Sequence, residues 1–171
     1  VFIPNGKYYI TNDIKIENAK DINIMIQPEA IFITEGNHEG IDIYPQSNKI
    51  PRQRAFFAII DSENVTFSGG KYDCSGFGHP GDGRAASAIL VLRSENVVVE
   101  KTKLYDLKPT GVWGSYSDNV DGVTVEIRYT GILGIKTKSL TIKDNYAHTM
   151  AYSAYECRIG CPDTKFIGTY E

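Results

Sequence analysis

The stretch from Phe57 to Asp73, FAIIDSENVTFSGGKYD, sets a pattern of apolar and polar positions that returns in degenerate form from Ile89 to Tyr105, ILVLRSENVVVEKTKLY. The two copies are offset by 32 residues, with Ser-Glu-Asn-Val in register. A third copy places Ser117-Asp118-Asn119-Val120 after Val112, and a fourth places Ser139-Leu140 after Ile132. In all four, the residue opening the first strand (Phe57, Ile89, Val112, Ile132) precedes the one opening the second (Val65, Val97, Val120, Leu140) by eight positions. The outer offsets are 32, 23 and 20. A fixed inner spacing with a variable outer one is what a solenoid produces, because each coil repeats its strands while the connecting turns vary. Period-two alternation at Val65/Phe67, Val97/Val99 and Leu140/Ile142 excludes a helical repeat, and the β-branched content suits strands. The competing arrangement is an ordinary β-sandwich whose strands resemble one another.

The same rhythm starts earlier. Residues 1–10 read as strand, Pro/Gly turn and strand. Ile14–Ile16 and Ile22–Ile26 alternate strictly, Gln27-Pro28-Glu29 forms the next corner, and Ala30–Ile33 closes the coil. Ile14 to Ile22 is again eight residues. The expectation is therefore one all-β domain over residues 1–171, of roughly six to seven coils. The chain opens abruptly at Val1 inside a strand, which suggests a fragment of a longer solenoid. Over the final twenty-odd residues, which hold Tyr152 and Tyr155, the repeat is lost, and the stretch reads as an atypical terminal coil or a cut edge.

VFIPNGKYYI, the strand ladder, and SENVTFSGGKYDCSG together resemble the right-handed parallel β-helix proteins of the pectate-lyase-like superfamily. That superfamily includes polysaccharide lyases, glycoside hydrolases, epimerases and phage tailspikes. The resemblance runs over residues 1–146 and implies the fold far more strongly than an activity, because the matched residues are those that build coils. Asn64, Asn96 and Asn119 at corners tolerate left-handed backbone, and Gly69-Gly70 supplies a tight bend.

Two segments interrupt the rhythm, Asn37–Arg54 and Cys74–Ala86, both rich in Gly, Pro and charge. Each precedes the first strand of a coil, at Ala55–Ile60 and Ser87–Leu92. Long loops on a repeat scaffold gather on one face, usually the binding face. The resemblance implies that turns entering this strand wall a saccharide groove; the plainer alternative is that they pack the flank. By the repeat, Ala58/Leu90/Trp113/Leu133 and Ile60/Leu92/Ser115/Ile135 line the strand, followed by a charged column Asp61/Arg93/Tyr116/Lys136. Trp113, the sole tryptophan, suits stacking on a sugar ring, or equally packing under a loop. The charged column is also what a solvated ladder of cross-strand pairs looks like.

Net charge is −3, and Lys and Arg are scattered, so no nucleic-acid footprint is expected. No apolar stretch has the length of a membrane span. The expected partner is a polysaccharide, acidic or neutral, and the expected location extracellular, either secreted or on a virion surface. A lyase needs a base for the proton α to a uronate carboxyl and a cation to neutralise that carboxylate. Lys136 or Arg84 fits either role, since a lysine beside other cations loses its proton more readily. A hydrolase needs two carboxylates across the bond, and Asp82 with Asp61 or Asp118 are the candidates. Trp113, Tyr116, Arg93 and Asp61 are the expected binding residues. Ca²⁺ is implied only if the protein is a lyase, and no Asp cluster of the pectate-lyase type is evident. Gly131–Thr137 is faintly similar to the polygalacturonase "R-I-K" segment, but that family's Arg falls on Gly134 and its acidic segments are missing. His148, Cys157 and Cys161 fit no known zinc spacing; Cys157 and Cys161 alternatively close a small disulfide loop, leaving Cys74 odd. The rival function is a non-catalytic tailspike or adhesin, for which a homotrimer is expected, with the Leu90/Leu133 column as its subunit contact.

Overall fold

The computed structural model describes residues 1–35, 38–41, 53–77, 85–107, 116–120, 123–127, 129–150, 153–158 and 160–169. Their strands wind into a parallel β-helix, and no helix long and apolar enough to cross a membrane occurs among them. The first turn is β1 (Phe2–Ile3), β2 (Gly6–Ile10) and β3 (Ile14–Glu17), and the second is β4 (Lys20–Ile26), β5 (Ala30–Thr34) and β6 (Gln53–Ile60). The third is β7 (Glu63–Ser68), β8 (Lys71–Asp73) and β9 (Ala85–Leu92). The fourth runs through β10 (Glu95–Glu100) and β11 (Lys103–Leu107), passes through β12 (Tyr116–Val120) and β13 (Val123–Ile127), and finishes in β14 (Tyr129–Ile135). The fifth is β15 (Thr141–Lys143), β16 (Tyr146–Met150) and β17 (Ser153–Arg158), and β18 (Lys165–Ile167) begins a sixth.

Stacked turns form three parallel sheets: sheet A (β1-β4-β7-β10-β15-β18), sheet B (β2-β5-β8-β11-β16) and sheet C (β3-β6-β9-β14-β17). Ile14, Phe57, Ile89, Ile132 and Tyr155 form one ladder of sheet C. Ile22, Val65 and Val97 form its counterpart in sheet A. The terminal stretch that loses the sequence pattern therefore still stacks, Tyr155 included.

The third sequence copy is not a coil. Ile89 pairs directly with Ile132, and Tyr116–Val120 pairs antiparallel with Val123–Ile127 as a separate hairpin. Val112 lies outside the described residues, and Val120 pairs with Val123 rather than with Val97 or Leu140. The sequence held a signal for this. Only Asp121-Gly122 separates the paired valines, and Asp-Gly between alternating apolar residues is a strong hairpin marker.

The interior holds the inward columns. Tyr8, Phe32 and Tyr72 stack face to face, with centroids 5.2 and 5.1 Å apart, and Phe57, Phe67, Ile89, Val91, Val97, Val99 and Leu104 are fully or nearly fully buried. Polar ladders hold the corners. The Ala19 amide donates to Ser62 Oγ and the Ser62 amide to Ser94 Oγ, each at 3.1 Å. At another corner, Asn145 Oδ1 accepts from the Thr102 amide while Asn145 Nδ2 donates to the Val99 carbonyl. These bonds satisfy main-chain groups that a corner would otherwise leave unpaired.

Sheet C differs from the other two because the outer face of its central strands, β6, β9 and β14, is also apolar and buried. Ala58, Ile60, Leu90, Leu92, Leu133 and Ile135 form a second cluster together with Ile41, none more than 6 % exposed. All eight residues of β6 are buried. A strand buried on both sides reads as a continuous apolar run, which is the sequence of β6 and β9.

Candidate functional site

Connection length is distributed unevenly around the coil. Sheet A passes to sheet B through two- or three-residue corners. Sheet C passes to sheet A through equally short ones at residues 18–19, 61–62 and 93–94. The passage from sheet B to sheet C instead takes residues 35–52, 74–84 and 108–128 in successive turns, although it needs only 11–13 in the first turn and 151–152 in the fifth. The expected long loops are thus at one corner, joined by a third that contains the β12–β13 hairpin.

One part of the second-turn loop is fixed in place by a buried polar cluster. His38 sets Nδ1 3.3 Å from Asp13 Oδ1 and Nε2 3.1 Å from the Ile10 carbonyl. Asp13 also accepts from the amides of Gly40 at 2.8 Å and Ala55 at 2.7 Å. Burial pushes the Asp13 carboxyl up, but the His38 hydrogen bond and the two amides outweigh it and hold the group below its ordinary range. The His38 ring packs edge-on against Phe77. This anchor escaped sequence reasoning because nothing in the spacing of Asp13 and His38 relates them until the coil closes.

The charged column lies at the opposite end of sheet C, where its strands exit. Asp61, Arg93 and Lys136 all adopt left-handed backbone, at φ 48°, 49° and 49°, and stack because each follows a paired residue, Ile60, Leu92 or Ile135. Arg93 grips Asp61 with both arms of its fork, Nε to Oδ1 at 2.8 Å and Nη2 to Oδ2 at 2.7 Å. The Arg93 hydrogen bonds hold the Asp61 carboxyl below its usual range, and the same contact pushes the guanidinium up. Beside this column, Lys20 pairs with Glu63 at 3.0 Å and Lys138 with Glu95 at 2.7 Å. Asp61, Glu63, Arg93, Glu95, Lys136 and Lys138 line an open depression of about 440 Å³ together with Ser62 and Ser94. Arg93 Nη1 is itself buried and has no hydrogen-bond partner among the described residues.

A further charged pair, which the sequence reading missed, sits on the outer face of the last strand of sheet C. Glu156 follows the apolar column of Ala58, Leu90 and Leu133. Its Oε1 accepts from Arg158 Nε at 2.6 Å and its Oε2 from the Thr130 hydroxyl at 3.0 Å. Arg158 adjoins the shelf, since its carbonyl accepts from the Lys136 amide. The Glu-Cys-Arg alternation was a usable signal, obscured because the repeat fades there.

Of the expected site residues, the structure brings together Asp61, Arg93 and Lys136. Tyr116 is not in their column, because β12 pairs with β13 and no strand stands between Leu92 and Ile135. Trp113 likewise cannot separate Leu90 from Leu133, which pair directly. Trp113, Asp82 and Arg84 lie outside the described residues, and Asp118 sits in β12 opposite Val125. The apolar wall expected to flank a groove is closed within the single chain: Ala58 and Leu90 are 0 % and Leu133 2 % exposed, which also removes the Leu90/Leu133 column as a subunit contact. The long connections enter sheet C at one end and the shelf lies at the other, a full strand away. Among the described residues no three His, Cys, Asp or Glu side chains gather to hold a metal ion, so His148 does not join the two cysteines and no Ca²⁺ cradle is assembled there.

No protein-family model matches the chain, and no curated protein is similar to it. Among solved structures, the crystal structure of a "putative glycosyl hydrolase" from Parabacteroides merdae ATCC 43184 is similar to 98 % of this chain and 78 % of its own, with a TM-score of 0.54 and 17 % identity. At that identity the likeness extends to the fold, and the fold they share is the parallel β-helix.

Proposed function

We propose that this β-helix recognises an acidic polysaccharide at the shelf of Asp61, Arg93 and Lys136, as a secreted carbohydrate-active enzyme of lyase or hydrolase type. The observation that carries the reading is an open shelf lined by the partly exposed Arg93 and, on the next rung, the exposed Lys136. A sugar carboxylate placed there meets the exposed part of the Arg93 guanidinium with Lys136 beside it, and charge-assisted hydrogen bonds of this kind are among the strong ones. Asp61 positions the guanidinium and stays ionised, so it is unsuited to donating a proton near neutral pH. In a lyase, Arg93 holds the uronate carboxylate and Lys136 removes the α proton, acting as the neutral amine. The fold shared with a "putative glycosyl hydrolase" supports the carbohydrate side of this reading.

The test is a titration of uronate and neutral oligosaccharides, followed by isothermal titration calorimetry, with assays for unsaturated product and for reducing ends. Acidic oligosaccharides should bind in preference to neutral ones, and Arg93→Ala should weaken them by about tenfold or more. Unsaturated product lost in Lys136→Ala identifies a lyase, and reducing ends without unsaturation a hydrolase. Binding without product makes the protein an adhesin or tailspike. Equal affinity for neutral and acidic sugars, or an unchanged Arg93→Ala, removes the shelf as the site.

A further inference from the structure

We propose that Cys157 and Cys161 are an oxidisable pair that closes into a disulfide over Gly134, clasping the end of the β-helix core. The β14–β17 register sets Gly134 opposite Cys157, in the inward column that Ile59 and Val91 fill in the preceding turns. Glycine brings no side chain to this rung, and Leu140 Cδ2 and the two sulfurs converge on the space. A Cβ built on Gly134 would stand 3.2 Å from Cys157 Sγ and 3.8 Å from Cys161 Sγ. The Cys161 thiol is within hydrogen-bonding reach of Cys157 and also donates to the Arg158 carbonyl at 3.2 Å. The intervening turn is shaped for the approach. Gly160 takes φ +72°, with open space where a side chain would be, and the Thr164 hydroxyl donates to the Cys161 carbonyl at 3.0 Å.

Both cysteines are partly exposed, whereas Cys74 is buried in the core. Cys157 packs inward against the core from β17 while Cys161 lies in the turn beyond it, so the first attack falls to Cys161 and Cys157 resolves it; burial also pushes the Cys157 thiol up to about 11. With a small-molecule disulfide such as oxidised glutathione as the oxidant, the Cys161 thiolate attacks one sulfur and expels one glutathione thiolate. Cys157, losing its proton, then attacks the Cys161 sulfur of the mixed disulfide and expels the second. The protein loses two protons and two electrons, and the glutathione disulfide takes both up to become two thiols. The assignment is independent of the glycan reading.

The experiment treats the intact chain with oxidised glutathione, alkylates the remaining thiols, and maps it by mass spectrometry without reduction. The chain should lose two hydrogen masses and retain one alkylatable thiol, Cys74, after unfolding. Trypsin cuts after Arg158, so the peptides carrying Cys157 and Cys161 should travel together and separate on reduction. Cys157→Ser should stop at a glutathione adduct on Cys161, and Cys74→Ser should change nothing. Three alkylatable thiols in the oxidised wild type, or a bond that includes Cys74 or a second chain, would overturn the proposal.

Discussion

At the residue scale, left-handed backbone costs a side-chain-bearing residue about 1 kcal/mol or more, yet each exit corner of sheet C adopts it twice. The pairs are Asn18 and Asp21, Asp61 and Asn64, Arg93 and Asn96, and Lys136 and Ser139. Asn64 and Asn96 were legible as corner residues because their side chains compensate locally, Asn96 donating to Asn64 at 3.1 Å and Asn64 to Asp21 at 2.8 Å. Arg93 and Lys136 were legible only as members of a charged column, since nothing about Arg or Lys favours positive φ; stacking imposes it. Asp13 shows what single residues hide. Its carboxyl, 2 % exposed, is depressed in the folded state, against an unfolded value near about 3.9. Its stabilisation is therefore full above that value and lost as pH falls through the lower folded one. Asp13→Asn should cost about 3 kcal/mol near neutral pH, and its melting temperature should fall less steeply with acid than that of the wild type. Parallel acid limbs in thermal melts of the two proteins would show that Asp13 does not carry this term.

At the level of the strand, inward and outward positions of one element predict opposite outcomes. In β10, Val97 is fully buried between Val65 on one side and the next turn on the other, while Glu95 reaches an exposed ion pair with Lys138. Val97→Asp puts an unpaired charge into a dry column and should abolish soluble folded protein. Glu95→Ala loses a solvent-screened pair and should shift stability by under about 1 kcal/mol. Similar circular dichroism melts for both would reverse the assignment of faces. The strands of sheets A and B were readable because alternation reports directly on one buried face, and those of sheet C because their apolar runs recur at a fixed spacing before them. Two features were not. The hairpin of β12 and β13 imitates a coil because Ser-Asp-Asn-Val matches Ser-Glu-Asn-Val locally, and local similarity carries no information about the pairing partner. The burial of sheet C on both faces was equally hidden, for an apolar outer position looks the same whether covered by its own chain, by sugar or by a subunit.

For the molecule as a whole, a solenoid shields its interior along its length but not at its ends. Ile3, Tyr8, Ile10, Ile14, Ile16, Ile22 and Phe57 line an apolar hollow of about 390 Å³ at the first turn, with Val1 75 % exposed at its rim. A hydrophobic dye such as ANS should therefore gain fluorescence with the folded 171-residue chain at about one site per chain, and Ile16→Lys should reduce the gain. No enhancement with this chain would mean that the hollow is closed in solution. The corner between sheets B and C has a different consequence. It accepts connections as short as residues 151–152 and as long as 108–128 while the strands on either side keep parallel register. Such a corner behaves as a socket: sequence exchanged there is insulated from the stacking that folds the chain. Segments of unrelated origin can be traded at this position by recombination, or installed by an engineer, without re-optimising the coils beneath them.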